Sequence, residues 1–376
     1  MRLLHLADLH LGWEPSYLPE EKRNMRRRER DSLIEKAVDF ALTPANDIHA
    51  VLIAGDLFEN YRPEDKLVQH VMTQLRRLTG SGILVVTVPG NHDEITYRDS
   101  VYRKHGEAWP GELVRNPMPK LAVSREINGV PLHLYSLAYT GGLTRPEAIE
   151  EFPREDTDGI HLAAFHGSLD WEGLPDRSLP LFSSQLASAG YHYVALGHYH
   201  RSMEKQTGKG KAVYPGAVEF KSFIDPGTGK FTVVELNENG GVKLEKEKVE
   251  VRPHLQRQID LSVLSEPEEL LKECRKSGDR ETMLRLELTG TPFFPVHLEN
   301  LEEQLADDFF YVEISNRAKF FEESFVESVA REATVRGAFI RRMQKRREEA
   351  SGEREKTVLE QAMLKGLAAL EGSDPE

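Results

Sequence analysis

Five times in its first two hundred residues, this chain closes a compact apolar run with a short motif of Asp, Asn, His and Gly. No other feature restricts its fold as much. The motifs are Asp8-Leu9-His10, Gly55-Asp56, Gly90-Asn91-His92-Asp93, His166-Gly167 and Gly197-His198-Tyr199-His200, with Tyr214-Pro215-Gly216 following as a turn. The runs, residues 2–7, 50–54, 83–88, 161–165 and 193–196, have the length and aliphatic content of buried strands. Between them, residues 30–42, 66–78 and 185–189 carry apolar side chains at helical spacing. Strand and helix alternate, which predicts an α/β layer architecture. In open sheets of that class ligands collect beyond the carboxyl ends of strands, where the motifs fall. Residues 213–214 and 231–236 read as a closing hairpin-like meander, with Gly227-Thr228-Gly229-Lys230 as a hairpin turn.

Around residues 243–253 the sequence becomes charged and of low complexity, and a domain boundary is placed there. This gives a first domain over 1–245 and a small α+β unit over 246–320. The α+β unit holds strands at 258–261, 282–289 and 309–315 and a helix at 267–276. Residues 321–376 form a helical tail, with Phe325, Val329, Val335, Phe339 and Met343, then Leu359, Met363, Leu367 and Leu370, as apolar stripes. The single cysteine, Cys274, excludes an internal disulfide and a thiolate metal cluster, and reads as a small buried helix residue. No apolar run approaches the ~20 residues of a membrane span, and the opening residues turn polar too soon for a signal peptide. A cytoplasmic protein without a membrane partner is expected. The net charge of −13 argues against wholesale attraction to nucleic acid. Two basic stretches, residues 22–30 and Arg341, Arg342, Lys345, Arg346 and Arg347, read first as solvated helix faces.

The motifs offer carboxylate, amide and imidazole donors without thiolate, a set suited to Mn²⁺, Fe²⁺ or Zn²⁺. Asp8, His10, Asp56 and His200 are assigned to one ion, and Asp56, Asn91, His166 and His198 to a second, with Asp56 bridging. Strand alternation would put Asp8 with His10, and His198 with His200, on common faces. Such a pair of cations activates water for in-line attack on phosphorus. His92, beside a ligand, is given the general-acid role or a phosphate contact, with Asp93 orienting it and holding it protonated. His5, His133 and His161, inside strand-like runs, and His192 near one read as structural.

With Asp8-Leu9-His10-Leu11-Gly12, Ala54-Gly55-Asp56-Leu57-Phe58, Pro89-Gly90-Asn91-His92-Asp93 and Gly197-His198-Tyr199-His200, the chain resembles the calcineurin-like metallophosphoesterases. Among them it is most similar to the SbcD-type DNA-repair exonucleases, the nuclease subunits of complexes with an SMC-like ATPase. Tyr214-Pro215-Gly216-Ala217-Val218-Glu219 also resembles a segment of that family. The resemblance covers roughly residues 1–236. It implies a four-layer α/β sandwich with a small α+β capping domain that helps seat DNA. It further implies two Mn²⁺ ions, 3′-to-5′ exonuclease and single-strand endonuclease activity in double-strand-break repair, and a homodimer. C-terminal helices would dock the coiled coil of the ATPase. Glu59 departs from relatives that carry histidine or aspartate after Gly-Asp-Leu-Phe, which leaves the balance of the two activities open. A phosphoesterase acting on phosphoprotein or small nucleotides, and a non-catalytic scaffold of an ATPase complex, are the competing readings.

Overall fold

In the computed structural model, which describes residues 1–141, 149–171, 178–276, 278–292, 294, 296–318 and 323–370, the apolar runs are strands that stop at or just before the motifs, except the one at 161–165, which runs through His166-Gly167 to Leu169. The chain divides into two units, Met1–Val251 and Arg252–Glu376. The first begins with β1 (Arg2–Leu6), α1 (Glu20–Asp31), α2 (Leu33–Leu42), β2 (Ala50–Ala54), α3 (Asp65–Gly80), β3 (Leu84–Val88), α4 (Val101–His105) and β4 (Glu112–Leu113). It continues with β5 (Lys120–Ile127), β6 (Val130–Ser136), β7 (Ile160–Leu169), β8 (Leu179–Leu181), α5 (Ser183–Ala189) and β9 (Tyr193–Gly197). It closes with β10 (Met203–Thr207), β11 (Gly210–Tyr214), β12 (Lys230–Leu236) and β13 (Val242–Lys248).

These strands make two sheets. The first has the order β13-β12-β1-β2-β3-β4, in which β1 to β4 run parallel and β12 and β13 are antiparallel to their neighbours. The second has the order β10-β11-β9-β7-β6-β5, with β8 beside the far end of β7. The strands β2, β3, β7 and β9 are buried along their whole length, as parallel strands covered on both faces must be. Alternation sorts their side chains. Leu162, Ala164, Tyr193 and Ala195 enter the core between the sheets, which continues through the first sheet to Ile34 and Val38 of α2 and Val71 and Leu75 of α3. Ala163, Phe165, Val194 and Leu196 turn to the opposite face and pack with Leu186 of α5. The layers are therefore helix, sheet, sheet, helix. His5 of β1 is fully buried, its Nδ1 2.8 Å from the hydroxyl of Tyr193 on the other sheet. Burial pushes its pKa down to about 3, so it is a neutral, structural imidazole.

Three expectations need correction. The helix read over residues 30–42 is two helices broken at Ser32, whose hydroxyl donates to the carbonyl of Glu29 at 2.7 Å. Strands β11 and β12 do not form a hairpin, because they belong to different sheets. The Gly227–Lys230 stretch instead runs back along the preceding loop, Thr228 N–H donating to Ala217 O at 2.7 Å and Gly229 N–H to Val218 O at 2.9 Å. The stretch 22–30 is not a solvated face throughout: it is α1, with Arg26 and Arg30 on its inner side at 1% and 0% exposure.

The second unit has three parallel strands, β14 (His254–Asp260), β15 (Met283–Thr289) and β16 (Tyr311–Asn316), in that order across the sheet. Helices α6 (Pro267–Arg275) and α7 (Leu298–Leu305) make the crossovers. The sequence reading lacked α7, yet parallel pairing of β15 with β16 requires such a connection. Leu284, Leu286 and Leu288 of β15 pack with Leu270, Cys274, Leu301 and Leu305. Then come α8 (Glu323–Ala330), α9 (Val335–Glu349) and α10 (Glu353–Leu370). Val329 from one expected stripe and Met363 and Leu367 from the other meet in a core of their own with Val326 and Ile340. Val335 and Leu370 remain exposed. No helix of the described residues is long and apolar enough to cross a membrane.

Candidate metal centre

Most of the motif residues sit where strands have just ended, His166 and Gly167 lie within β7, and several of the others adopt strained backbone. Asp8 (φ 55°), His10 (φ 49°), Asp56 (φ 50°) and His198 (φ 114°) have positive φ although none is glycine. Each such conformation costs on the order of 1–3 kcal/mol. The surroundings over-determine it, because the turns after β1 and β2 are zipped together. Asp8 N–H donates to Gly55 O at 3.1 Å, His10 N–H to Asp56 O at 3.0 Å and Leu11 N–H to Leu57 O at 2.9 Å. Left-handed turns, rather than the strand alternation expected from the sequence, bring Asp8 and His10 to one place. Two glycines permit the close approach of loops. A Cβ on Gly90 would lie 2.2 Å from Asp56 Oδ1, and one on Gly55 2.1 Å from His166 Nδ1.

All seven candidate ligands converge at this carboxyl edge. Ligand atoms of Asp8, His10 and His200 lie within 4.8 Å of one another, and so do those of Asp8, Asp56 and His166. His10 Nε2 is 3.0 Å from His200 Nε2. Oδ2 of Asp56 is 3.9 Å from His10 Nε2 and 3.3 Å from His166 Nε2, between the two histidines. Oδ1 of Asn91 lies 2.8 Å from His166 Nε2 and 3.1 Å from His198 Nδ1. Asp8 also accepts the backbone N–H of His198, at 3.0 and 3.1 Å.

Three of the imidazoles are braced through their other nitrogen. His10 Nδ1 lies 2.8 Å from Glu59 Oε2, His200 Nδ1 faces the carboxylate of Asp225, and His166 Nδ1 is 3.0 Å from the carbonyl oxygen of Ala54. Such a partner fixes the tautomer and aims the remaining nitrogen at a cation. Facing lone pairs on Nε2 atoms, buried carboxylates and braced outer nitrogens together fit a pair of divalent cations. Burial works against a charged His166, but Asp56 and Asp8 outweigh it and raise its pKa to about 9. A cation arriving there must displace a proton. Replacing Glu59 or Asp225 by alanine is expected to weaken metal affinity about 10- to 100-fold in calorimetric titration; unchanged affinity would remove the bracing role.

Sequence reasoning missed both carboxylate braces. Glu59 had registered only as a departure, and Asp225 stands in a turn-like Ile-Asp-Pro-Gly stretch with no spacing to announce it. Glu59 is further held by Lys221, whose Nζ is 3.0 Å from the same Oε2.

His92 lies at the edge of the cluster. Its backbone N–H donates to Asp56 Oδ1 at 2.9 Å, its Nδ1 is 2.9 Å from Glu59 O, and its ring meets that of His10 edge-on at 4.7 Å. With Nδ1 donating to a carbonyl, Nε2 is the ring nitrogen left to meet a substrate. Asp93 is placed differently from the sequence reading, in which it oriented His92. It is fully buried and accepts from Gly90 N–H at 2.7 Å, Phe58 N–H at 3.1 Å and the Tyr102 hydroxyl at 2.7 Å. It therefore shapes the Gly90-Asn91-His92 turn. Burial, with Asp56 nearby, pushes its pKa up to about 6.

A clamp lies beneath the pocket. Arg26 donates to Glu219 Oε1 at 2.8 Å. Arg30 donates to the carbonyls of Leu9 at 3.1 Å and Phe220 at 2.7 Å, and its guanidinium lies 4.7 Å from the Trp13 ring centroid. Leu9 stands between Asp8 and His10, and the 219–225 loop carries Lys221 and Asp225, so the clamp ties together the chain on both sides of the pocket.

Comparison with known proteins adds the following. Residues 1–202 match the family model described as calcineurin-like phosphoesterase. The chain is 26% identical over 350 residues to a protein of Methanopyrus kandleri described as DNA double-strand break repair protein Mre11, covering 86% of this chain and 72% of that one. A protein of the same description from Aeropyrum pernix is 30% identical over 274 residues, covering 69% of this chain and 64% of that one. The uncharacterized metallophosphoesterase YhaO of Bacillus subtilis is 25% identical over 254 residues, covering 65% and 59%. The chain thus spans roughly two thirds of the length of these relatives.

Proposed function

The chain belongs to the calcineurin-like phosphoesterase family, a family of metal-dependent hydrolases, and from that premise we propose that it is a DNA nuclease of double-strand-break repair. The observation that carries this reading is the reach of its similarity. The match to the Methanopyrus protein described as a break-repair protein covers 86% of the chain, so it runs well past the shared phosphoesterase segment into the second unit. Asp8, His10, Asp56 and His200 would hold one Mn²⁺, and Asp56, Asn91, His166 and His198 the other. When bound, the pair supplies an activated water and Lewis-acid stabilisation of charge on phosphorus.

The remaining steps belong to the chain itself. His92 presents a proton from Nε2 to the departing deoxyribose oxygen. Glu59, Asp225 and the Ala54 carbonyl hold the imidazoles in register, and Asp93 fixes the turn from which His92 projects. The boundary expected at 245/246 falls inside β13, and the units divide at 251/252. On the same reading, the α+β part of the second unit, from Arg252 through β16, forms a capping domain that helps seat DNA. Residues 321–376 form a helical tail for a coiled-coil ATPase of SMC type, and the chain pairs with a second copy of itself. Both 3′-to-5′ exonuclease and single-strand endonuclease activity are expected. Incubation with Mn²⁺ and end-labelled single- and double-stranded DNA, beside a phosphomonoester, tests the proposal. DNA cleavage that a chelator abolishes is expected; turnover of the monoester alone would reject it.

A further inference from the structure

Aromatic side chains follow the candidate ligands along the motif loops, and they pair across neighbouring loops. Tyr61 and Tyr97 come from the loops after β2 and β3, which carry Asp56 and His92; their rings stack with centroids 4.3 Å apart and planes 27° from parallel. Trp171 and Tyr199, from the loops after β7 and β9, make the corresponding pair at 5.9 Å and 44°. The second pair leads directly to the pocket. Tyr199 stands between His198 and His200 in the chain, and its ring lies 5.4 Å from that of His198 and 4.9 Å from that of Tyr214. On the outer side of this run, Trp171 is 53% exposed. An indole recruited for core packing is buried, as Trp109 is. A half-exposed indole in ring contact with a residue flanked by two candidate metal ligands has the form of a binding surface.

Charge points the same way. The net charge is −13, and two arginines of the basic α1 stretch are buried and committed to Glu219 and backbone carbonyls. Phosphate attraction is therefore a weak source of affinity for a polyanion. Stacking of bases on aromatic faces supplies affinity independently of net charge and tolerates any base. Within a duplex the faces of an internal base are covered by its neighbours, so the indole is open only to an unpaired base or to the outer face of a terminal pair.

We propose that Trp171 and Tyr199 form a stacking platform for an unpaired nucleobase beside the scissile phosphodiester. This rests on the nuclease reading above.

The test uses the full chain with Mn²⁺, a short oligothymidylate, an abasic oligomer of the same length and a simple phosphodiester. Trp171→Ala is expected to raise KM for the oligothymidylate about tenfold while kcat changes less than about twofold, and Trp171→Phe to restore most of the loss. Tryptophan emission should be quenched by the oligothymidylate in the native chain and not in Trp171→Phe. Unchanged KM in Trp171→Ala, with DNA still cleaved, would overturn the platform alone. An equal loss on the abasic oligomer would overturn it too, by showing that the indole acts without a base. A native chain that hydrolyses the simple phosphodiester but neither binds nor cleaves the oligomers would reject the nuclease reading, and the platform with it.

Discussion

Substituting His92 by alanine is expected to leave metal binding intact and to lower cleavage of DNA by about two to four orders of magnitude, the usual contribution of a positioned general acid. The separation of the two effects follows from the geometry. The bond from residue 92 to Asp56 Oδ1 comes from its backbone N–H, which alanine keeps, whereas the imidazole ring is lost. The seven candidate ligands and the three braces are untouched. Calorimetric titration with Mn²⁺ beside steady-state cleavage reads the two quantities separately. The choice of leaving group sharpens the result. A nucleotide oxygen needs a proton as it departs, whereas 4-nitrophenolate leaves as a stable anion. The loss should therefore shrink on bis(4-nitrophenyl) phosphate. Equal losses on both substrates would refute proton donation and leave a phosphate contact as the role of His92.

The second large effect is on stability. Removing the Glu219 carboxylate with alanine is expected to destabilise the first unit by about 1–3 kcal/mol, because the buried Arg26 guanidinium keeps Glu29 and the Phe220 carbonyl but loses its fully buried carboxylate partner. Both side chains are 1% exposed, so water cannot screen the loss. Burial also depresses the pKa of the neighbouring Arg30 to about 10, a sign of how poorly solvated this region is. Glu219→Gln keeps the shape and an accepting oxygen and should cost less. Urea denaturation of the two variants beside the native chain measures the difference. A change under about 0.5 kcal/mol in Glu219→Ala, the range of ordinary surface substitutions, would contradict a structural role for the clamp.

Much of this was legible in the sequence, and the parts that were not share a cause. The strands behind Asp8, Asp56, Asn91 and His198 could be read because continuous apolar runs report burial on both faces. Their ends could be read because polar motifs interrupt those runs. Where the information lay in partnership rather than in pattern, reading failed. Arg26 and Arg30 are buried side chains of a type that normally faces solvent. Only the fold supplies Glu219 and the carbonyls that accept them. Glu59 and Asp225 act through His10 and His200, at separations that no motif encodes. The pairing of Asp8 with His10 was anticipated for the wrong reason, since backbone in the left-handed region does what strand alternation was expected to do. β11 and β12 look like consecutive strands of a meander, but each completes a different sheet.

That last arrangement bears on how the molecule comes into being. Within its sheet β1 comes before all the other strands in the chain, yet it lies inside only because β12 and β13, made more than two hundred residues later, add beyond it. A nascent chain that has emerged as far as residue 202, where the phosphoesterase match ends, still presents β1 as an open edge and lacks Glu219 and Asp225. The pocket as described needs the chain at least as far as Asp225, and β1 stays an edge until β12 pairs with it, so the first sheet is complete only with the returning hairpin and not with the last histidine.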